Sequence, residues 1–182
     1  MECVFGLVGI DFAVVAADSS AVHNILVHKS NEDKIMILDS HKLIVASGEP
    51  DDRCSVHLLV FKVLDSFKSI YENPCSMNIL LAGYEKEISP SLYYMDYIAT
   101  LHKVDKGAFG YGSYFSLVMM DRHYHSGMTV EEAIDLVDKC IIEIRSRLVV
   151  DPPNFVIKII DKDGVREYAW RESVKDAVIA SA

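Results

Sequence analysis

Apolar residues fall along this chain in short runs broken by polar turns, and the spacing changes between blocks. Residues 4–8 and 12–17 are two such runs, rich in β-branched and aromatic side chains, with Gly9-Ile10-Asp11 between them. They predict an N-terminal hairpin. Residues 20–31 are mixed and are expected to be irregular. Residues 33–38 and 42–47 predict two more strands around the polar turn Asp39-Ser40-His41, ending at Gly48-Glu49-Pro50. Over 52–71 the spacing becomes three and four, with Val56, Leu59, Val60, Val63, Leu64 and Phe67 in register. That is a helix with one buried stripe, stopped by Asn73-Pro74.

The second half repeats the alternation. Residues 78–84 predict a buried strand, and 91–97 its partner across a polar turn containing Pro90. Residues 107–113 form a glycine-rich bend, and the apolar stretch 114–120 reads as a buried helix. Thr129-Val130-Glu131-Glu132 is a capping box. It opens a helix with Ala133, Ile134, Val137, Ile141, Ile142 and Ile144 as apolar positions, and Pro152-Pro153 blocks its continuation. Residues 155–160 and 165–170 predict a closing hairpin over Asp163-Gly164. Strands paired through short turns, with helices in separate blocks, predict an α+β fold: two antiparallel sheets face to face with helices outside. At 182 residues, one domain over 1–182 is expected.

Hydrophobic residues make up 51% of the chain and the mean hydropathy is +0.18. No run approaches the roughly 20 apolar residues of a membrane helix. The apolar surplus therefore implies extra buried faces: a layered fold, a large subunit interface, or both. A formal net charge of −9 argues against nucleic acid or an anionic membrane as the main partner. No secretory signal is expected, because Glu2 is acidic, no Lys or Arg precedes Lys29, and Asp11 and Asp18 break the apolar run. Cys3, Cys54, Cys75 and Cys140 form no C-x-x-C pair, so free, buried thiols in a reducing compartment are expected, and no zinc ribbon. No cofactor and no metal are expected. His123 and His125, two apart, do not face each other on a helix, and 121–125 reads as a solvated helix end or a subunit contact. Gly110-Tyr111-Gly112 lacks the Lys-Ser/Thr pair of a phosphate loop. Tyr93, Tyr94 and Tyr97 suit either a core or an interface.

Several fragments occur in a familiar order: Val15-Ala16-Ala17-Asp18-Ser19, Asp33-Lys34-Ile35, Leu80-Leu81-Ala82-Gly83-Tyr84, Leu92-Tyr93-Tyr94-Met95-Asp96-Tyr97, Gly110-Tyr111-Gly112-Ser113 and Ile159-Ile160-Asp161-Lys162-Asp163-Gly164. Together they resemble proteasome β subunits over almost the whole chain, most closely the β4 (β type-2) branch. The resemblance implies an N-terminal nucleophile hydrolase fold, an αββα four-layer sandwich. Active members of that family shed a propeptide and expose an N-terminal threonine, and an aspartate and a lysine tune its proton transfer. Asp18 and Lys34 match those two positions. Glu2 matches the nucleophile, has no hydroxyl, and is preceded by Met1 alone. Leu148 and Asp151-Pro152 stand where active members carry an aspartate and a serine-glycine pair. Tyr111 replaces the serine of the glycine-rich bend, and Ser113 is not its equivalent. The expectation is a non-catalytic subunit of a threonine protease complex, with Glu2, Asp18 and Lys34 as vestigial positions.

The resemblance further implies a place in a seven-membered β ring, against an α ring and an opposite β ring, with neither nucleic acid nor membrane as partner. There the chain would form chamber wall and position active neighbours in ATP- and ubiquitin-linked protein degradation, in cytoplasm and nucleus. The segment between Gly48 and Asn78 is shorter than in the family by roughly one helix of average length. One alternative is a hydrolase using a processed Cys3. Against it, Cys3 is one residue out of step with the nucleophile position, so strand alternation is expected to turn it away from Asp18 and Lys34.

Overall fold

The computed structural model describes residues 3–23, 26–29, 31–47, 78–85, 89–98, 100–149 and 152–172. The chain opens with β1 (Cys3–Val8), β2 (Phe12–Asp18), β3 (Ala21–His23), β4 (Leu26–Lys29), β5 (Ile35–Asp39) and β6 (Lys42–Ser47). It continues with β7 (Asn78–Glu85), β8 (Ser89–Met95), β9 (Leu101–Val104) and β10 (Lys106–Gly110). Helices α1 (Ser113–His123) and α2 (Val130–Arg147) follow, then β11 (Asn154–Asp161) and β12 (Gly164–Glu172). The expected helix over 52–71 lies outside the described residues.

Among the described residues all strand pairings are antiparallel. Sheet I has the order β10-β1-β2-β11-β12, sheet II the order β5-β6-β7-β8-β9, and β3-β4 form a small separate hairpin. The strands β1, β2 and β11 of sheet I are buried on both faces. Phe5, Leu7, Val14, Phe155, Ile157 and Ile159 face the helices, where Leu136, Val137, Cys140, Ile141 and Ile144 of α2 meet them. Their alternate neighbours Val4, Val15, Val156 and Ile160 face Ile35, Leu43, Val45, Leu80 and Leu92 of sheet II. The two-residue period of a strand thus feeds two cores at once. This is why residues 4–8 and 12–17 read as continuous apolar runs rather than alternating ones.

The capping box forms as the sequence predicts. The Glu132 N–H donates to Thr129 Oγ1 at 3.4 Å, and the Thr129 N–H donates to Glu132 Oε2 at 2.9 Å. Three expectations fail. Residues 20–31, expected to be irregular, contain β3 and β4. Pro90 sits inside β8, paired with Tyr84, and not in the turn. The first part of the glycine-rich bend is strand β10, which pairs with β1 from Cys3↔Gly110 to Leu7↔Lys106. No local propensity marks that strand; a partner about a hundred residues away creates it. The bend itself falls at Gly110, whose φ of 77° favours glycine.

The two sheets are tied at one end by their turns. The Val165 N–H donates to the Ser40 carbonyl at 2.8 Å, and His41 Nε2 contacts the Lys162 carbonyl at 3.2 Å. Gly164, at φ 113°, allows this approach, since a Cβ there would lie 2.7 Å from the Ser40 oxygen.

Candidate functional site

At the other end of the sandwich β2 stops at Asp18, and the chain re-enters at residues 31–35 to start sheet II. Lys34 Nζ donates to Asp18 Oδ2 at 2.9 Å, with the two side chains 1% and 2% exposed. Asp18 Oδ1 accepts the Cys3 N–H at 2.7 Å, and Oδ2 also accepts the Ser20 N–H at 3.2 Å. A carboxylate this deep is tolerable only when charge and hydrogen bonds compensate it. Here it has an ammonium and two backbone donors. The structure therefore brings Asp18 and Lys34 together at the head of β1. Glu2, the third expected site position, lies outside the described residues.

Cys3 meets Asp18 through its backbone, since Val4 pairs with Ala17 and the Cys3 N–H donates to Asp18 Oδ1. The thiol is nevertheless fully buried among the residues between sheet I and the helices. Gly112 leaves it room, because a Cβ there would lie 2.6 Å from the Cys3 sulfur. Burial, reinforced by the Asp18 charge, pushes the thiol up to about 12. A thiol so placed stays protonated and is a poor nucleophile. Cys140 is the other free cysteine among the described residues, and burial likewise pushes it up to about 12.

The remaining candidates scatter. Tyr111 is exposed, and Leu148 caps α2 against the helix-side core. The Ser113 hydroxyl donates to the Gly110 carbonyl at 2.7 Å, closing the bend. Asp151 lies outside the described residues. Asp121 pairs with Lys106, and the Tyr124 hydroxyl donates to the Val8 carbonyl at 2.9 Å. Among the described residues no group of three or more His, Cys, Asp or Glu could hold a metal ion. Tyr94 packs edge-on against Phe109, whereas Tyr97 is exposed.

Sequence reasoning missed two residues that build this end. Asn154 Nδ2 donates to Asn31 Oδ1, and its carbonyl accepts the Ser19 N–H at 3.0 Å. Lys158 is buried and bonded to residues 33 and 35. Its signal was present: a lone lysine in the middle of Phe155-Val156-Ile157-Lys158-Ile159-Ile160.

Two antiparallel sheets with helices packed on one, and a buried Asp–Lys pair at the start of the first strand, define an α+β sandwich of the N-terminal nucleophile hydrolase type. The proteasome subunit family matches residues 2–57 and 51–160, and the chain belongs to that family. It is similar to proteasome subunit beta type-2-A of Arabidopsis thaliana, 64% identical over 202 positions covering 99% of each chain. It is 56% identical to proteasome subunit beta type-2 of Oryza sativa subsp. japonica, over 94% of this chain and 91% of that one. Proteasome subunit beta type-4 of Saccharomyces cerevisiae is 28% identical over 92% of this chain and 96% of its own. The resemblance to the β4 (β type-2) branch therefore holds, and the chain assembles with other proteasome subunits in protein degradation. The family match falls in two parts that overlap at residues 51–57, inside the segment expected to be short.

The same comparisons correct the expectation of a non-catalytic chain. The family and its beta type-2 relatives are subunits of a protease core. That expectation leaned on Glu2 and on the residues before it, and where a sequence starts fixes no mature terminus. It also counted as lost the supports at Leu148, Asp151-Pro152 and Tyr111, while Asp18 and Lys34 themselves form a buried, hydrogen-bonded pair.

Proposed function

We propose that the chain is a β-ring subunit of the 20S core particle. It occupies one place in a seven-membered ring, against an α ring and facing the opposite β ring. It forms part of the chamber wall and positions its neighbours in ATP- and ubiquitin-linked degradation of unfolded polypeptides, in cytoplasm and nucleus. It is one domain over 1–182, with neither nucleic acid nor membrane as partner.

The observation that supports this reading is apolar surface with no internal use. Residues 114–120 of helix α1 are apolar but for Ser116, a wider apolar face than one buried stripe requires. Yet Tyr114 and Val118 are 73% and 51% exposed on it, next to Tyr111 at 62%. Tyr97 and Ile98 project from the β8–β9 connection and Leu101 from the start of β9, and Asp96 stiffens the connection by accepting the N–H groups of Ile98 and Thr100. Apolar patches of this kind mark surfaces that partners cover. Native mass spectrometry of the endogenous complex, followed by dissociation and weighing of this chain, tests the reading. A very large assembly containing the chain is expected; a small free species would overturn it. The second reading, a hydrolase using Cys3, has the buried, protonated thiol against it.

A further inference from the structure

Lys158 lies between Val156 and Ile160 on the face of β11 turned towards sheet II, and it is 5% exposed. An ammonium in such a place costs several kcal/mol unless it is paired and hydrogen-bonded. Its Nζ donates to Asp33 Oδ2 at 2.5 Å and to the Ile35 carbonyl at 2.8 Å. Those two acceptors flank Lys34. The other Asp33 oxygen, Oδ1, accepts the Ile35 N–H at 2.9 Å, so residues 33–35 close on themselves. Lys34 points elsewhere, onto Asp18. The segment is further held by the Glu32 N–H, which donates to the Ser19 carbonyl at 2.8 Å.

We infer that Lys158 is the positioning residue of the Asp18–Lys34 pair. It grips the chain on both sides of Lys34 and so fixes where that ammonium can reach. Through Lys34 it sets Asp18, and through Asp18 the backbone N–H of Cys3 at the head of β1. Lys158 makes no hydrogen bond or ion pair with any of the three. The four charges alternate, Asp18 with Lys34 and Asp33 with Lys158, so the two pairs are neutral together. The grip belongs to the chain's own fold and does not depend on its place in a ring.

Core particles isolated through a tag on a different subunit provide the test. Particles carrying the wild-type chain, Lys158→Met, Lys158→Arg or Asp33→Asn are treated for timed intervals with an amine-acetylating N-hydroxysuccinimide ester. Acetylation of Lys34 is read by mass spectrometry, with Lys106 and Lys139 as references in the same chain. Loss of a charged hydrogen-bond partner predicts Lys34 labelling about tenfold faster in Lys158→Met, with the references unchanged. Lys158→Arg, which can still reach both acceptors, is expected within about twofold of wild type. Lys34 labelling that stays at the wild-type rate in Lys158→Met overturns the inference. So does a common rise at all three lysines, which would make Lys158 a general packing residue. If Lys158→Met fails to accumulate, Asp33→Asn decides: a rise of about threefold at Lys34 alone supports the inference, and no rise overturns it. Absence of the wild-type chain from the particle would count against the proposed function only, and the same labelling then runs on the free chain.

Discussion

The two sheets are joined at both ends, by opposite means. At the Asp18 end the joint is buried and ionic, with Lys34 and Asp18 almost wholly out of water. At the other end it is an exposed contact between two tight turns, Ser40-His41 against Lys162–Val165. The buried joint cannot lose a member without stranding a charge. The exposed joint can let water replace a missing partner. Position in the dielectric, more than the number of bonds, decides what each joint is worth.

Breaking the buried joint should have the largest effect. Asp18→Ala leaves Lys34 buried without a counter-charge, an expected loss of about 3–5 kcal/mol, read as a fall in the urea midpoint or as failure to enter the core particle. At the exposed joint the backbone matters most. Gly164→Ala forces a Cβ into a positive-φ position against the Ser40 carbonyl, costing about 1–3 kcal/mol in the same titration.

A pH series on wild type and Cys3→Ala sharpens the contrast, because the Cys3 thiol is buried close enough to the ionic joint to feel the Asp18 charge. Its thiol titrates near 9 when unfolded and near 12 in the fold. Its contribution is therefore complete below pH 9 and is lost as pH rises through about 12. Wild type should lose about 1.4 kcal/mol relative to Cys3→Ala between pH 8 and pH 10. The smallest effect is expected from His41→Ala, about 1 kcal/mol or less, since water can take over its contact with the Lys162 carbonyl. A His41→Ala loss as large as that of Asp18→Ala would erase the distinction between the joints.

How much of this was legible in the sequence follows the same division. Hairpins closed by local turns, β1–β2 over Gly9-Ile10-Asp11 and β11–β12 over Asp163-Gly164, could be read directly. So could α2, whose cap and apolar stripe lie within eighteen residues. Strand β10 could not, since its partner is β1 and its own sequence, Lys106-Gly107-Ala108-Phe109-Gly110, carries two glycines. Of the site, Asp18 and Lys34 were found by resemblance. Their meeting could not be read from spacing, because it depends on how residues 31–35 cross from one sheet to the other. Lys158 was visible as an oddity in an apolar strand, but its purpose required the fold.

The central strand of sheet I also sets a timetable. β2 is buried along all seven residues, and its two partners are β1 and β11. β1 is in place at once, but β11 ends at Asp161, almost a whole chain later. At 5–20 residues per second, a ribosome needs roughly 7–30 s to deliver it. During that interval one edge of a strand that is apolar from Phe12 to Ala17 has no mate. The nascent N-terminal hairpin is thus the stretch most in need of shelter while the rest is made.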